Sequence, residues 1–321
     1  MKKTILVTGG AGYIGSHACK LLKEQGYTAV TFDNFSVGWK DAVKYGPYIE
    51  GDLCNKDDLE RTFAEYKINA VMHFAALTNV GESVSQPDRY WRNNVLGSMN
   101  LLDAMKKAGV SKLIFSSTCA IYGEHEGVTI TEETSQNPMN PYGSSKRVIE
   151  DMIRDYGMNH IIFRYFNVAG ADADSQIGES HDPETHLIPI VLEAASGKRS
   201  EVTVFGDDYD TADGTCVRDY VHVTDIADAH LKGLQALESG TQRVVYNLGT
   251  GTGFSVQEII KAVEAVTGVS VPVVIGKRRA GDCASLVSAG VMAQKELEWN
   301  PSRSTLPIMV ADAWNWHTKN L

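Results

Sequence analysis

Thr8-Gly9-Gly10-Ala11-Gly12-Tyr13-Ile14-Gly15 decides the fold of this 321-residue chain. The apolar run Thr4-Ile5-Leu6-Val7 stands just before it, and an amphipathic stretch from Ile14 to Gln25 continues from it. Glycines at 9, 12 and 15 make G-x-x-G-x-x-G, a relaxed form of the fingerprint that joins a strand to a helix over a dinucleotide pyrophosphate. One glycine permits the tight turn, one lets backbone approach the phosphates without a Cβ, and one lets helix and strand pack closely. The helix N-terminus adds unpaired N–H groups and a partial positive charge. Asp33 follows the second apolar run, Ala29-Val30-Thr31-Phe32, at the place where a carboxylate takes the adenosine ribose hydroxyls. That carboxylate repels a 2′-phosphate, so the expected cofactor is NAD rather than NADP.

Outward from this motif the first half keeps alternating. A helix is predicted near Asp57–Tyr66, an apolar run at Ala70-Val71-Met72-His73-Phe74, a longer helix over Asp88–Ala108, and a further run at Lys112-Leu113-Ile114-Phe115-Ser116. Continuously apolar strands separated by helices indicate a parallel sheet covered on both faces. The expected fold class is therefore α/β, a Rossmann-type doubly wound parallel sheet. Past Asn167 the texture changes: 168–186 and 198–219 read as polar, glycine-containing loops around a helix at Ile188–Ala195. Later elements at Gln257–Thr267 and Val271–Ile275 suggest a smaller C-terminal α+β substrate domain. The division expected is 1–168 for the dinucleotide-binding domain and 169–321 for the substrate domain. Segments within about 216–250, such as Val244–Leu248, are candidates to return to the first sheet.

Composition excludes several classes. A 43% hydrophobic and 22% charged chain is an ordinary globular protein, and no apolar run approaches the ~20 residues of a membrane span. The basic and apolar start is too short for a signal peptide and runs into the glycine motif, so a cytoplasmic protein is expected. A net charge of -10 disfavours nucleic acid as a partner. The five cysteines form no CxxC pair, which argues against a disulfide framework or zinc site, and most are expected to be small buried residues. The histidines, His17, His73 and His222 among them, show no metal-ligand spacing, and no metal is expected.

The chemistry is read from Tyr142-Gly143-Ser144-Ser145-Lys146. Asn140 can cap a helix and Pro141 can take its first position, which puts Tyr142 and Lys146 one turn apart on one face. An ammonium beside a phenol stabilises the phenolate, so a tyrosine with an ordinary pKa of about 10 can act as a base near neutrality. The spacing also fits a surface Tyr/Lys pair; the dinucleotide motif and the strand ending Ser116-Ser117-Thr118 favour the catalytic reading.

Together with His73-Phe74-Ala75-Ala76, Asn93-Asn94-Val95, Arg164-Tyr165-Phe166-Asn167, Asp213 to Tyr220 and Arg278 to Asp282, these motifs resemble the extended short-chain dehydrogenase/reductase family over essentially the whole chain. The resemblance implies a 4-epimerase of UDP-hexoses that oxidises its sugar to a 4-keto intermediate and returns hydride to either face. It implies Tyr142 as base, Lys146 as its electrostatic partner and ribose ligand, and Thr118 as a hydrogen bond to the same sugar hydroxyl. NAD would be held by Gly9, Gly12, Tyr13, Ile14, Gly15, Asp33, Asn34, Asp52, Leu53, Phe74, Ala75, Ala76, Thr78, Asn93, Tyr142, Lys146 and Phe166. The UDP-sugar would meet Thr118, Asn167, His186, Leu187, Phe205, Arg218, Arg279 and Asp282. The two arginines suit a diphosphate because guanidinium forks match its oxygens. Helices like Asp88–Ala108 and Tyr142–Tyr156 pair across a two-fold axis in this family, which implies a homodimer.

Some positions depart from the family pattern. Thr78 stands where many members carry a lysine, and His186 where an asparagine is common. Leu286 falls near a position that is bulky and aromatic in some glucose-specific members, and a smaller side chain leaves room for an N-acetyl group. Cys119 and Ala120 follow Thr118 where water- or carbon dioxide-eliminating relatives place acids, so elimination is not expected. Alternatives are a UDP-arabinose/UDP-xylose or UDP-N-acetylglucosamine 4-epimerase, and, remotely, a non-catalytic NAD-binding regulator.

Overall fold

The computed structural model describes residues 2–125, 128–279 and 282–319. Its first half runs β1 (Thr4–Thr8), α1 (Tyr13–Glu24), β2 (Thr28–Asp33), β3 (Tyr48–Glu50), α2 (Lys56–Glu65), β4 (Ile68–His73), α3 (Val80–Ser85), α4 (Pro87–Tyr90), α5 (Gly97–Lys107) and β5 (Lys112–Thr118). There follow α6 (Pro141–Asp155), β6 (Asn159–Tyr165), β7 (Asn167–Ala169), α7 (Leu187–Ala195), β8 (Val202–Phe205), β9 (Val217–His222), α8 (Val223–Glu238) and β10 (Val244–Leu248). The chain ends with β11 (Gly253–Ser255), α9 (Val256–Thr267), β12 (Val273–Gly276), β13 (Ser285–Leu286), α10 (Val291–Glu296) and α11 (Leu306–Lys319).

Seven strands form one sheet in the order β10-β6-β5-β4-β1-β2-β3, every pair parallel. Alternation along each strand assigns side chains to opposite faces. Ile5, Val7, Ile161 and Phe163 pack with Ala18 and Leu22 of α1 and with Ile226 and Leu234 of α8. Leu6 and Ile162 face the other way, against Leu59 of α2, Leu101 of α5 and Ile149 of α6. A third core lies beyond the sheet, where Val191, Ile259, Val263 and Met309 bring α7, α9 and α11 together over β8. The strand order reverses between β1 and β4, so the chain opens a crevice at their C-terminal ends, the usual ligand position of such sheets. The glycine turn after β1 and the Phe74–Thr78 segment after β4 form its floor.

The helix predicted over 88–108 is present as one helical run from Pro87 to Lys107, with a widened π-type turn at Trp91–Leu96 that the apolar period does not reveal. Gln86, before Pro87, lies outside helical geometry (φ -133, ψ 60) and marks its start. The cysteines are less buried than expected: Cys19 and Cys119 are buried, Cys216 and Cys283 half-buried, and Cys54 exposed. Among the described residues no helix is long and apolar enough to cross a membrane.

Five of the described histidines, His17, His73, His160, His222 and His230, are buried. Burial lowers His17 and His230 to about 4 and His73 to about 3. Thr8 and Ser98 satisfy both nitrogens of His73, whereas His17 and His230 each keep an unpartnered Nε2. Unfolded histidine titrates near 6.5, so between that value and about 4 the unfolded chain binds more protons than the fold. The contribution of these three groups to stability is therefore full above about pH 6.5 and falls as the pH drops towards 4. Melting temperatures measured across that range should decline steadily, and a flat profile between pH 6.5 and 5 would contradict the assignment.

Candidate active site

The floor of the crevice is built by steric exclusion. Gly9 sits at φ 73, and a Cβ there would lie 2.6 Å from the Ala75 nitrogen; one on Gly15 would lie 2.2 Å from the Gly9 carbonyl oxygen. Both positions require glycine. Gly12 differs: a Cβ would meet only the Gly9 oxygen, at 3.3 Å, with the rest of its surroundings open. It is the N-cap of α1, whose first turn holds no acid and no side-chain cap. Those N–H groups are thus available to an anion. Asp33, buried at the end of β2, accepts hydrogen bonds from Ala11 N at 3.0 Å and Phe35 N at 2.9 Å. Burial raises its pKa while the two N–H groups work to lower it. Its carboxylate is fixed by backbone at the rim of the cleft.

That cleft has a volume of about 1300 Å³, above the ~300–1,000 Å³ typical of a site for one drug-sized ligand. All seventeen residues predicted to hold the dinucleotide line it, from the glycine turn through Asp33, Asn34, Asp52, Leu53, Phe74–Thr78 and Asn93 to Phe166. The glycine cradle, the free helix N-terminus and Asp33 fit NAD.

Tyr142 and Lys146 enter from α6. Asn140 caps this helix through Oδ1, which accepts from Gly143 N at 2.8 Å, and Pro141 occupies the first turn, as the sequence predicts. Tyr142 is half-buried and hydrogen-bonded to Thr118, whose Oγ1 also accepts from Ala120 N at 3.1 Å. Lys146 is buried, donates to the Ser116 carbonyl at 2.8 Å and lies over the Phe115 ring. Burial pushes Tyr142 up to about 12, with the Thr118 bond opposing, and pushes Lys146 down to about 7, with Glu150 opposing. Both groups are thereby responsive to any charge placed beside them.

The predicted substrate residues divide. Thr118, Asn167, His186 and Leu187 line the same cleft. Phe205, Arg218, Arg279 and Asp282 gather outside that lining: Arg279 pairs with Asp282 at 2.9 Å and lies over Phe205 at 4.7 Å, and Arg218 approaches Asp282 at 3.8 Å. Leu286 packs with Cys119 and Phe166, at the Thr118 end of the cleft. Thr78 is exposed on the cleft wall.

Several contributors escaped the sequence reading. Asn94, beside Asn93, is buried, accepts from Leu77 N at 2.8 Å and donates to Ser145 Oγ at 3.2 Å, locking the segment after β4 to α6. Glu150, one turn beyond Lys146, accepts from Ser117 Oγ at 2.6 Å and from Arg164 Nη2 at 2.6 Å. Its i, i+4 spacing from Lys146 is the signal that could have found it. Trp39 Nε1 donates to the Ser180 carbonyl at 2.5 Å, tying the 36–44 wall to the facing loop. On that loop Glu179, His181, Glu184 and His186 converge, although their spacing carried no metal reading. Burial works against charge on both histidines, but the two carboxylates prevail and raise His181 to about 9 and His186 to about 10. Against the upward push of burial, the same pairing holds Glu179 and Glu184 below the usual carboxylate range.

Comparisons with known proteins place this geometry. Residues 5–249 match the NAD dependent epimerase/dehydratase family. The chain is 46% identical to a UDP-glucose 4-epimerase from Rhizobium leguminosarum bv. trifolii, over 99% of this chain and 98% of the relative. A crystal structure of UDP-glucose 4-epimerase from Brucella ovis in complex with NAD superimposes with a TM-score of 0.95 at 45% identity, covering 98% of each chain. That of UDP-glucose 4-epimerase from Bifidobacterium longum, in complex with NAD+ and UDP, gives 0.94 at 41% identity and covers 99% of each.

Because a Cβ at Gly12 is tolerated by the protein but not by a close phosphate, Gly12→Val should separate folding from cofactor retention. Its circular dichroism and melting should stay near those of the parent, while dinucleotide released on denaturation falls at least about tenfold. Full retention in the variant would remove Gly12 from the cradle.

Proposed function

This chain belongs to the NAD dependent epimerase/dehydratase family, and we propose that it is an NAD-dependent 4-epimerase of UDP-hexoses, interconverting UDP-glucose and UDP-galactose. The observation that carries this is the meeting of Tyr142, Lys146 and Thr118 with the glycine cradle in one cleft large enough for two ligands. NAD, held by the glycine cradle and Asp33, would supply the two-electron acceptor and donor for the sugar carbon. Tyr142 takes the proton of the 4-hydroxyl at its Oη in the first half-reaction and returns it in the second. Lys146, when protonated, favours the phenolate and would hold the cofactor ribose. Thr118 orients the 4-hydroxyl from the strand end. Cys119 and Ala120 offer no acid to protonate a leaving hydroxyl, which supports epimerisation over elimination.

Asn167, His186 and Leu187 are the proposed contacts of the nucleotide sugar within the cleft. The Arg218, Arg279, Asp282 and Phe205 group offers two guanidinium forks to its diphosphate end. The 1–168 unit, completed by the returning β10, is taken as the cofactor-binding part, and the remainder as the substrate-binding part. A homodimer is supported by exposed Trp91, Leu96 and Met99 beside α5 and by Val148 on α6, apolar residues on the two helices that would pair. Light scattering on the purified chain reads that mass directly. A second reading, an N-acetylhexosamine substrate, is favoured by Leu286 packed near Phe166.

Purified protein should epimerise UDP-galactose without added cofactor. Tyr142→Phe should lower turnover by at least about 100-fold while NAD stays bound, and an undiminished rate would sink the mechanism. Rates on UDP-galactose, UDP-N-acetylgalactosamine and UDP-xylose, measured side by side, should rank the hexose first; activity confined to the pentose would overturn the substrate assignment.

A further inference from the structure

The loop between β7 and α7 gathers four metal-ligating side chains that the proposed mechanism does not use as a group. One ligand atom from each of Glu179, His181, Glu184 and His186 lies within 4.8 Å of all the others. His186 Nδ1 is 2.7 Å from Glu179 Oε1 and 3.1 Å from Glu184 Oε1, and His181 Nδ1 is 3.2 Å from Glu179 Oε1 and 3.7 Å from Glu184 Oε2. Ligands at about 2.0–2.1 Å from a tetrahedral zinc ion are separated from one another by roughly 3.3 Å, which falls inside this spread. Two imidazole nitrogens with two carboxylate oxygens is a borderline donor set of the kind that zinc accepts.

The surroundings point the same way. The Glu179 and Glu184 side chains are only 7% and 6% exposed, yet among the described residues no lysine or arginine lies within ion-pair distance of either. The neighbouring lysines are engaged elsewhere: Lys44 on the Gln176 carbonyl and Lys319 on those of Asp174 and Ser175. His181 Nδ1 is buried and 3.2 Å from Glu179 Oε1 but outside hydrogen-bond alignment with it, so that nitrogen has no directed hydrogen-bond partner. The backbone is held in advance, with Trp316 Nε1 donating to the Glu179 carbonyl at 2.8 Å and Trp39 Nε1 to that of Ser180. A ligand set carried on anchored backbone loses little order on binding an ion.

We propose that Glu179, His181, Glu184 and His186 form a four-ligand site for a divalent transition-metal ion of zinc type, which fastens this loop to the start of α7. With four protein ligands the site is closed and structural, and it takes no part in proton transfer at Tyr142. The site shares His186 with the proposed nucleotide-sugar contacts, and its test reads metal binding rather than turnover. Full-length protein stripped by chelator dialysis, then incubated with ZnCl2 and gel-filtered, should retain one zinc per chain and melt several degrees higher than the stripped form. Titration calorimetry should show binding weakened at least about 100-fold in H181A/H186A, since losing a direct ligand costs no less than losing an outer partner. Glu184→Gln, of nearly the same shape, gives the same readout should the double variant misfold. Cobalt in place of zinc should give visible d–d bands without a thiolate charge-transfer band, which excludes exposed Cys54 as the ligand. No retained zinc in the parent chain, or a full equivalent retained by H181A/H186A, would overturn the proposal and leave the four residues a charge-paired cluster.

Discussion

The carboxylate of Glu150 is the contact on which the site geometry hangs. It is fully buried, and Arg164 meets it through both Nε and Nη2. A buried charge of either sign is costly without its partner, so neither residue is free to move alone. Ser117 on β5 donates to the same carboxylate, and Arg164 on β6 reaches Tyr122, which in turn donates to Asn247 on β10. One helix and three strands are therefore joined at a single point. Lys146 and Tyr142 stand one and two turns upstream on that helix, so their aim at the strand ends is set by the network beneath them.

The opposite wall is set by packing rather than charge. Gly9 against Ala75 and Gly15 against Gly9 leave no room for side chains, which brings the turn after β1 and the segment after β4 into contact under the cleft. Asn94 bonds both the N–H and the carbonyl of Leu77, so the segment that follows β4 cannot drift from α6. A rigid floor and a rigid helix thus bound the cleft on two sides. Its third side, the 175–187 loop, is tied on by tryptophan N–H groups and carries a charged cluster, while α7 beyond it packs into the third core. That difference suits a site in which one ligand stays and the other exchanges.

Most of the cofactor wall was legible in the sequence because its determinants are local. A glycine turn, a carboxylate closing the next strand and an Asn-Pro helix start each act within a few residues, and each appears in the structure where the sequence puts it. The long helix was legible too, but the widened turn at Trp91–Leu96 was not, because the apolar period runs on through it. Residues acting across the chain were harder. Glu150 gains its meaning only from Arg164 and Ser117, and the Glu179–His186 group lies on irregular backbone with no period to expose it. Arg218 and Arg279 were read as a pair facing a diphosphate; the structure gives them Asp282 and Phe205 as neighbours, a grouping that spacing alone does not reveal.

The place of β10 bears on how the chain is made. It is the seventh strand of the sheet, pairing with β6 through Val244–Ile161 and Leu248–Tyr165, yet about three-quarters of the residues precede its end. During synthesis the edge of β6 stays open until Leu248 has left the ribosome, and the intervening β7–α8 region must be parked beside an unfinished sheet. Such non-local closure slows folding and leaves a strand edge open to misassembly in the interval. A shortened chain ending near residue 168 would carry every glycine of the cradle and both Tyr142 and Lys146, and still lack the strand that shields their sheet. The unit that folds as one is longer than the unit that binds.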